Sequence, residues 1–435
     1  MFPVLVACGS SQPSASQPAP EATVVPTAIA STASAPVTPL AAADAGAPDT
    51  TAADSAALAS SIEGFNADLF AKLKTGKGNV FYSPTSIAIA LDMAAAGARG
   101  DTAQQMQKVL HLGTDPAKTN ASAGHLLASW STSSDSGPTL NVANRLWGQQ
   151  DYAFLPDYLQ ITRDSYGAEL APVDYKKASD QARTAINTWV ADKTNQKILN
   201  LIPAGVLTAQ TRLVLTNAVY FKGTWAHAFK KESTKTEPFK TATGSVTVPM
   251  MHENVSASYA DLPHAQLLSL PYKGDAMHAL SMVIALPKAG STLAAAEADL
   301  DATAVSKWIS SETVHSVNVS LPKLKIESQF ELAPTLQQLG MPLAFTNQAD
   351  FTGMSAAKGD DALKISNVIH KAFVDVNEDG TEAAAATGVV MSTKAAMAPT
   401  QTPIEMKVDH PFFFFIRDDK SGAILFAGKI ENPNK

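Results

Sequence analysis

Glu378-Asp-Gly-Thr-Glu-Ala-Ala-Ala-Ala-Thr-Gly-Val-Val-Met-Ser-Thr-Lys394 follows the strand-like run Ala372-Phe-Val-Asp-Val376 and decides how the rest of the chain is read. An exposed loop normally carries proline and charge, yet no proline occurs between Thr381 and Ala398. Thr381, Ala383, Ala385, Thr387, Val389 and Met391 alternate along one side and are all small or apolar. Gly380, Glu382, Ala384, Ala386, Gly388, Val390 and Ser392 fall on the other. Side chains of a strand alternate between faces, so one face of this segment could enter a sheet while Glu382 stays on the solvent side. The stretch reads as a loop able to become a strand.

The pattern E-x-G-T-E-A-A-A-A-T resembles the hinge of the reactive-centre loop of inhibitory serpins, and it lies near the C-terminus as in that family. Asn79-Val-Phe-Tyr-Ser-Pro-Thr-Ser86, Asn217-Ala-Val-Tyr-Phe-Lys-Gly-Thr-Trp225, Leu321-Pro-Lys-Leu-Lys325 and His410-Pro-Phe-Phe-Phe-Phe-Ile416 resemble further family signatures in the same order. The likeness runs from about Leu58 to the end. It implies an α+β serpin fold, with three β-sheets, about nine helices and an exposed reactive-centre loop over about 378–410.

It also implies roles. Glu378, Gly380, Thr381, Glu382, Ala383, Ala384, Ala385, Ala386 and Thr387 match the hinge. Trp225 and Lys323 match the breach at the top of the sheet, where Glu378 and Lys323 are expected to pair. Read as an exposed ion pair, that contact contributes only about 0 to 1 kcal/mol and acts chiefly on when the hinge opens. Ser83, Ser86, Asn217 and His370 match the shutter beneath the sheet, although each taken alone could be an ordinary hydrogen-bonded core residue.

The implied activity is suicide-substrate inhibition of a serine protease, not an enzyme's turnover. Family spacing from Glu378 places the reactive bond at Lys394–Ala395, and a lysine suits the acidic specificity pocket of trypsin-like proteases. The long return arm from Lys394 to Pro411 leaves other bonds open. Cleavage after Met391, Ala396 or Met397 would suit elastase-, chymotrypsin- or subtilisin-like enzymes, and cysteine proteases are a further possible target. A non-inhibitory envelope lipoprotein, a carrier-like member of the family and an envelope hydrolase are the competing readings. The clean hinge favours inhibition over the carrier.

Composition narrows the classes. The chain has 435 residues, 45% hydrophobic and 17% charged, which suffices for a large core. A net charge of −7 without a dense Lys/Arg tract argues against nucleic acid as partner, and Lys176-Lys177 and Lys230-Lys231 read as solvated faces. The expected partner is a protease and the expected state a monomer. No cofactor is implied.

Cys8 is the one cysteine, which excludes an intramolecular disulfide framework. Leu5-Val-Ala-Cys8-Gly-Ser-Ser resembles the bacterial lipobox, in which cleavage leaves a lipidated cysteine, although no basic residue precedes it. From Gly9 to Ala57 the chain is rich in Ala, Pro, Ser and Thr, with no aromatic residue and no Lys or Arg. Such a segment cannot bury enough surface to fold. As a coil of about 45 residues it spans roughly 35–40 Å, a fitting length for a tether. The chain therefore divides at 57/58 into a lipobox-like start with a disordered tether and a serpin domain over 58–435. An extracellular or bacterial-envelope location follows, with a lipid anchor at Cys8.

Helical periodicity marks Leu58–Leu73, Thr85–Ala96, Gln181–Thr194 and Leu293–Leu300, and alternation marks Leu213–Phe221, Ser316–Leu321, Ile369–Val376 and Ile424–Lys429. Two motifs imitate metal sites. Asp375-x-Asn377-x-Asp379-Gly380 starts like a calcium loop, but Ala386 stands where the closing glutamate belongs. His252-Glu253 starts like a zinc-protease helix, but Ser256 replaces the second histidine. No metal is expected.

Overall fold

The computed structural model describes residues 52–76, 78–131, 138–168, 170–274, 279–300, 313–357, 359, 362–381 and 402–435. All belong to the unit Ala42–Lys435, which separates from Met1–Ala41. Cys8, most of the proposed tether, the hinge residues Glu382, Ala383, Ala384, Ala385, Ala386 and Thr387, and the bond Lys394–Ala395 lie outside the described residues.

The described helices are α1 (Ala52–Leu73), α2 (Pro84–Ala95), α3 (Gly100–Val109), α4 (Pro116–Ser131), α5 (Pro156–Tyr166), α6 (Tyr175–Lys193), α7 (Leu293–Ala298) and α8 (Ala333–Leu339). The first strands are β1 (Val80–Tyr82), β2 (Thr139–Gln149), β3 (Ala171–Val173), β4 (Leu213–Thr224), β5 (Lys235–Thr241), β6 (Gly244–Asp261), β7 (Ala265–Pro271) and β8 (Leu280–Pro287). The others are β9 (Val314–Pro322), β10 (Leu324–Glu331), β11 (Asn367–Asn377), β12 (Gly380–Thr381), β13 (Ile404–Lys407), β14 (Phe412–Asp418) and β15 (Ile424–Ile430). All eight periodic segments of the sequence fall on elements of the expected type. The first helix, however, starts at Ala52, so the last residues assigned to the tether are helical.

Among the described residues the strands form two hydrogen-bonded networks where three sheets were expected. One has the order β10-β11-β12-β4-β2-β3; the other runs β1-β15-β14-β8-β7-β6-β9-β13, with β5 paired to β6. The second network contains two of the expected sheets joined through β6. That long strand pairs with β5 over Gly244–Met250, with β9 over Met250–Ser258 and with β7 over Ser258–Asp261.

Period-2 alternation in β4 and β11 sets what lies on either side of the six-stranded sheet. Val214, Ala218, Ile369 and Phe373 pack on one face with Tyr175, Ile186 and Val190 of α6. Leu213, Leu215 and Val368 face the helical core that includes α2, while Val219, Phe221, Ala372 and Val374 join a core with Phe239, Met282, Phe414 and Phe426 of the other network. Burying each such Leu, Ile or Phe contributes about 1.5–3 kcal/mol, so the sheet is clamped from both sides. Asn217 and His370 lie on the α2 side.

Local chemistry places α2 there. Ser83 caps it by accepting the Ser86 N–H, and Pro84 occupies the first turn, where a missing N–H costs nothing. Ile87, Ile89, Leu91 and Met93 are buried on several sides of the helix. A helix apolar all round belongs in the interior, which brings its N-terminal serines beneath the sheet.

Candidate functional site

At the top of the six-stranded sheet the chain leaves β11 and turns back. The turn is held from outside by the segment after β4. Trp225 donates its backbone N–H to Asp379 O at 3.0 Å and its indole Nε1–H to Asn377 O at 3.0 Å, and Phe229 N–H donates to Glu378 O at 2.9 Å. The Trp225 ring stacks on Tyr272 at 4.6 Å with 10° between planes.

The carboxylate of Glu378 is only 7% exposed and accepts from Lys323 Nζ at 2.8 Å and from Thr234 Oγ1 at 2.8 Å. Burial raises its pKa, but the bonds from Lys323, its own backbone and Thr234 outweigh burial and hold the carboxyl below its ordinary value. The expected pairing of Glu378 with Lys323 is present, but the exposed-pair description does not hold, because the acid is buried and has a second donor. Lys231 Nζ reaches Asp379 Oδ2 at 2.9 Å while its side chain stays 59% exposed, so this lysine is solvated as expected and also pairs with the turn. Lys176 and Lys230 also pair with acids, Asp151 at 2.8 Å and Glu253 at 3.1 Å.

Beyond the turn, Gly380 and Thr381 are already in the sheet. Thr381 faces Val376 of β11 and Gly223 of β4, and Gly380 faces Asn377 and Thr224. Gly380 has φ +149°, and a Cβ there would stand 2.0 Å from Gly223 O. Only glycine fits, on both conformational and steric grounds. Thr381 is fully buried, and its Oγ1 lies 2.7 Å from the Tyr272 hydroxyl. Below this wedge, β11 and β4 pair directly and in parallel from Asn367↔Val214 to Phe373↔Tyr220.

The four polar residues beneath the sheet meet in one network. His370 is fully buried, and burial lowers its pKa to about 3, so the ring is neutral. Its Nε2 accepts the Ser83 N–H at 3.0 Å, which leaves the ring proton on Nδ1 to donate to Asn217 Oδ1. Asn217 Nδ2 donates to Ser86 Oγ at 2.5 Å and to Asn144 Oδ1 at 2.7 Å. Ser86 Oγ donates to Asn144 Oδ1 at 3.0 Å, and Asn144 Nδ2 returns a bond to Ser86 O at 3.2 Å. The network joins α2 to β11, β4 and β2, and every link can be made and remade without a charge.

The structure thus gathers Ser83, Ser86, Asn217 and His370 in one place, and Trp225, Lys323, Glu378, Gly380 and Thr381 in another. Sequence reasoning missed Asn144, Thr234, Lys231 and Tyr272, whose partners are far away along the chain. The metal look-alikes have other uses. Asn377 Oδ1 accepts the Asp379 N–H within the turn. His252 stands in strand β6, with Nε2 2.9 Å from Glu237 Oε1 and Nδ1 3.0 Å from Ser320 Oγ.

Residues 60–433 match the family model described as serpin (serine protease inhibitor). The chain is 38% identical to human Serpin B3 over 398 residues, covering 87% of this chain and all of that protein. It is 40% identical over 387 residues to the leukocyte elastase inhibitor of Sus scrofa, covering 86% of this chain and 99% of that one. The crystal structure of Serpin48 from the insect Tenebrio molitor superposes with a TM-score of 0.74 at 34% identity, over 86% of this chain and 98% of that one.

Proposed function

The chain belongs to the serpin family, and we propose that it is a suicide-substrate inhibitor of trypsin-like serine proteases. The observation that carries this reading is the seat of Gly380 and Thr381 between β11 and β4, with the two strands still paired below. The gap is started and its continuation is closed by bonds that can be exchanged.

In the proposed mechanism the protease serine attacks the carbonyl of Lys394, the Lys394–Ala395 bond breaks, and Ala395 leaves as a new amino terminus. The acylated arm then follows Thr381 into the sheet. Each step along the hinge moves one residue back along both neighbours, so the register Thr381↔Val376 and Thr381↔Gly223 brings Thr387 opposite His370 and Asn217. Its arrival displaces the His370–Asn217 hydrogen bond. About fourteen inserted residues carry the protease roughly 45 Å, and distortion of its site leaves the acyl-enzyme unhydrolysed. The intact molecule is therefore held by a barrier and not by equilibrium.

Clean alternation through Thr387 supports full insertion, and Lys394 supports a trypsin-like target. The long stretch 395–410 favours a second reading, with cleavage after Met391, Ala396 or Met397 by an elastase-, chymotrypsin- or subtilisin-like enzyme. The name of the relative from Sus scrofa points the same way. The lipobox-like Leu5-Val-Ala-Cys8 and its Ala/Pro-rich spacer support anchorage to a bacterial envelope with the inhibitor facing outward. Incubation with trypsin, followed by mass spectrometry of the denaturant-resistant adduct, tests activity and bond together. Complete digestion without an adduct would reject the reading.

A further inference from the structure

Tyr272 lies 109 residues from Thr381 in sequence, yet its hydroxyl meets the hinge. Its oxygen is 2.7 Å from Thr381 Oγ1, and both residues are buried. The ring cannot easily turn away. It stacks on Trp225 and meets Phe221 edge-on at 5.0 Å and 73°, and its backbone N–H donates to Leu280 O at 2.9 Å. Gly223 leaves the slot open, since a Cβ there would stand 2.7 Å from Tyr272 Cδ1 and 2.8 Å from Phe221 Cζ.

A fixed, buried hydroxyl demands a partner, and here the partner comes from the loop. Thr381 supplies the first inward-facing side chain of the hinge. A slip of one residue would exchange the two faces of the entering strand and turn Glu382 toward the core. We propose that Tyr272 is a positioning residue for loop insertion: its hydroxyl seats Thr381 and so sets the register in which the rest of the hinge enters. The consequence for inhibition rests on the function proposed above, whereas the seating is a property of the uncleaved chain.

Amide hydrogen exchange over residues 376–381 of the uncleaved full chain tests the seating in Tyr272→Phe, Thr381→Val, Thr381→Ser and the Tyr272→Phe/Thr381→Val double variant. Tyr272→Phe keeps the ring and removes only the oxygen. It should speed exchange by about tenfold, the loss of one hydrogen bond of about 1.4 kcal/mol. Thr381→Val should do the same, Thr381→Ser should retain protection, and the double variant should lose no more than either single change. Unchanged exchange in Tyr272→Phe, or additive losses in the double variant, would overturn the proposal. Titration of trypsin with the same proteins separates the two readings. If wild type forms no adduct the inhibitory reading fails, while the exchange result still decides the seating. If wild type inhibits, Tyr272→Phe should consume several-fold more inhibitor per protease trapped, and unchanged consumption would also count against the proposal.

Discussion

His370 and Asn217 stand directly opposite each other on β11 and β4, and the imidazole Nδ1–H donates to the amide Oδ1 across the line along which the proposed insertion would part the sheet. Protonation would break the other bond of the ring, because Nε2 must stay unprotonated to accept the Ser83 N–H. The folded pKa of about 3 lies below the ordinary 6.5, so between these values the unfolded chain holds a proton that the folded chain does not. Stability from His370 is complete above about pH 6.5 and is lost as pH falls toward 3, at up to about 1.4 kcal/mol per unit.

Asp92 has the opposite sign. Burial raises its carboxyl from 3.8 to about 7, against the lowering bond from Tyr166. Its contribution is complete below about 3.8 and is lost as pH rises toward 7. The two slopes overlap and offset in the wild type. Relative to wild type, His370→Gln should therefore gain stability as pH falls from 7 to 4.5, and Asp92→Asn should lose it. Urea midpoints at the two pH values check this; shifts of the same sign in both variants would contradict it.

Glu378 and Lys323 should respond asymmetrically to truncation. Lys323→Met leaves a buried carboxylate with Thr234 as its remaining side-chain donor, at a cost of about 1–3 kcal/mol. Its pKa should rise, because burial then meets less opposition. Glu378→Gln removes the charge and keeps an oxygen for Thr234, so it should cost less. Adding Lys323→Met to Glu378→Gln should cost little more. Thermal unfolding of the three variants measures the ranking, and equal losses for both single changes would exclude the buried-charge explanation.

Gly380→Ala should unseat the hinge in the uncleaved molecule. The backbone at φ +149° is strained for any side chain, and the new Cβ would meet Gly223 O, a backbone atom within the sheet. Gly380 and Thr381 should then leave the gap and release Tyr272. Exchange at residues 376–381 should accelerate, and cleavage of the loop should raise the unfolding temperature less than in wild type. Retained protection would mean that Gly223 yields.

What was readable in the sequence and what was not divides by range. Ser83, Ser86, Asn217, His370, Glu378, Gly380 and Thr381 stand in local patterns, and α2 and β11 carry clear periodicity, so their places could be inferred. Asn144 could not, because it sits in β2 within Thr139–Gln149, where polar residues interrupt the alternation. Tyr272, Thr234 and Lys231 act through partners more than a hundred residues away, and nothing near them in the chain points to Glu378, Asp379 or Thr381. Ala52 through Ala57 read as part of a low-complexity spacer, yet alanine has the highest helix propensity and α1 continues through them. The joining of two expected sheets depends on β6 changing partners along its length, which no window of sequence reports.

Thr381→Arg provides the most direct test of insertion. The threonine side chain is fully buried against Tyr272, between β11 and β4, and that site offers a hydroxyl partner but no carboxylate hydrogen-bonded to Thr381. A guanidinium seated there would be a buried, unpaired charge costing several kcal/mol, enough to slow entry of the hinge after cleavage by orders of magnitude. In the proposed mechanism acylation is at Lys394, well beyond Thr381 in the sequence, and it should proceed at the wild-type rate. The acyl-enzyme should then hydrolyse before the arm inserts, so that trypsin is recovered active and the variant is consumed as an ordinary substrate. Denaturing gels should show cleaved protein without the covalent complex, and the cleaved variant should lack the rise in unfolding temperature expected of the cleaved wild type. Trapping of protease at the wild-type ratio would show that Thr381 need not enter the sheet.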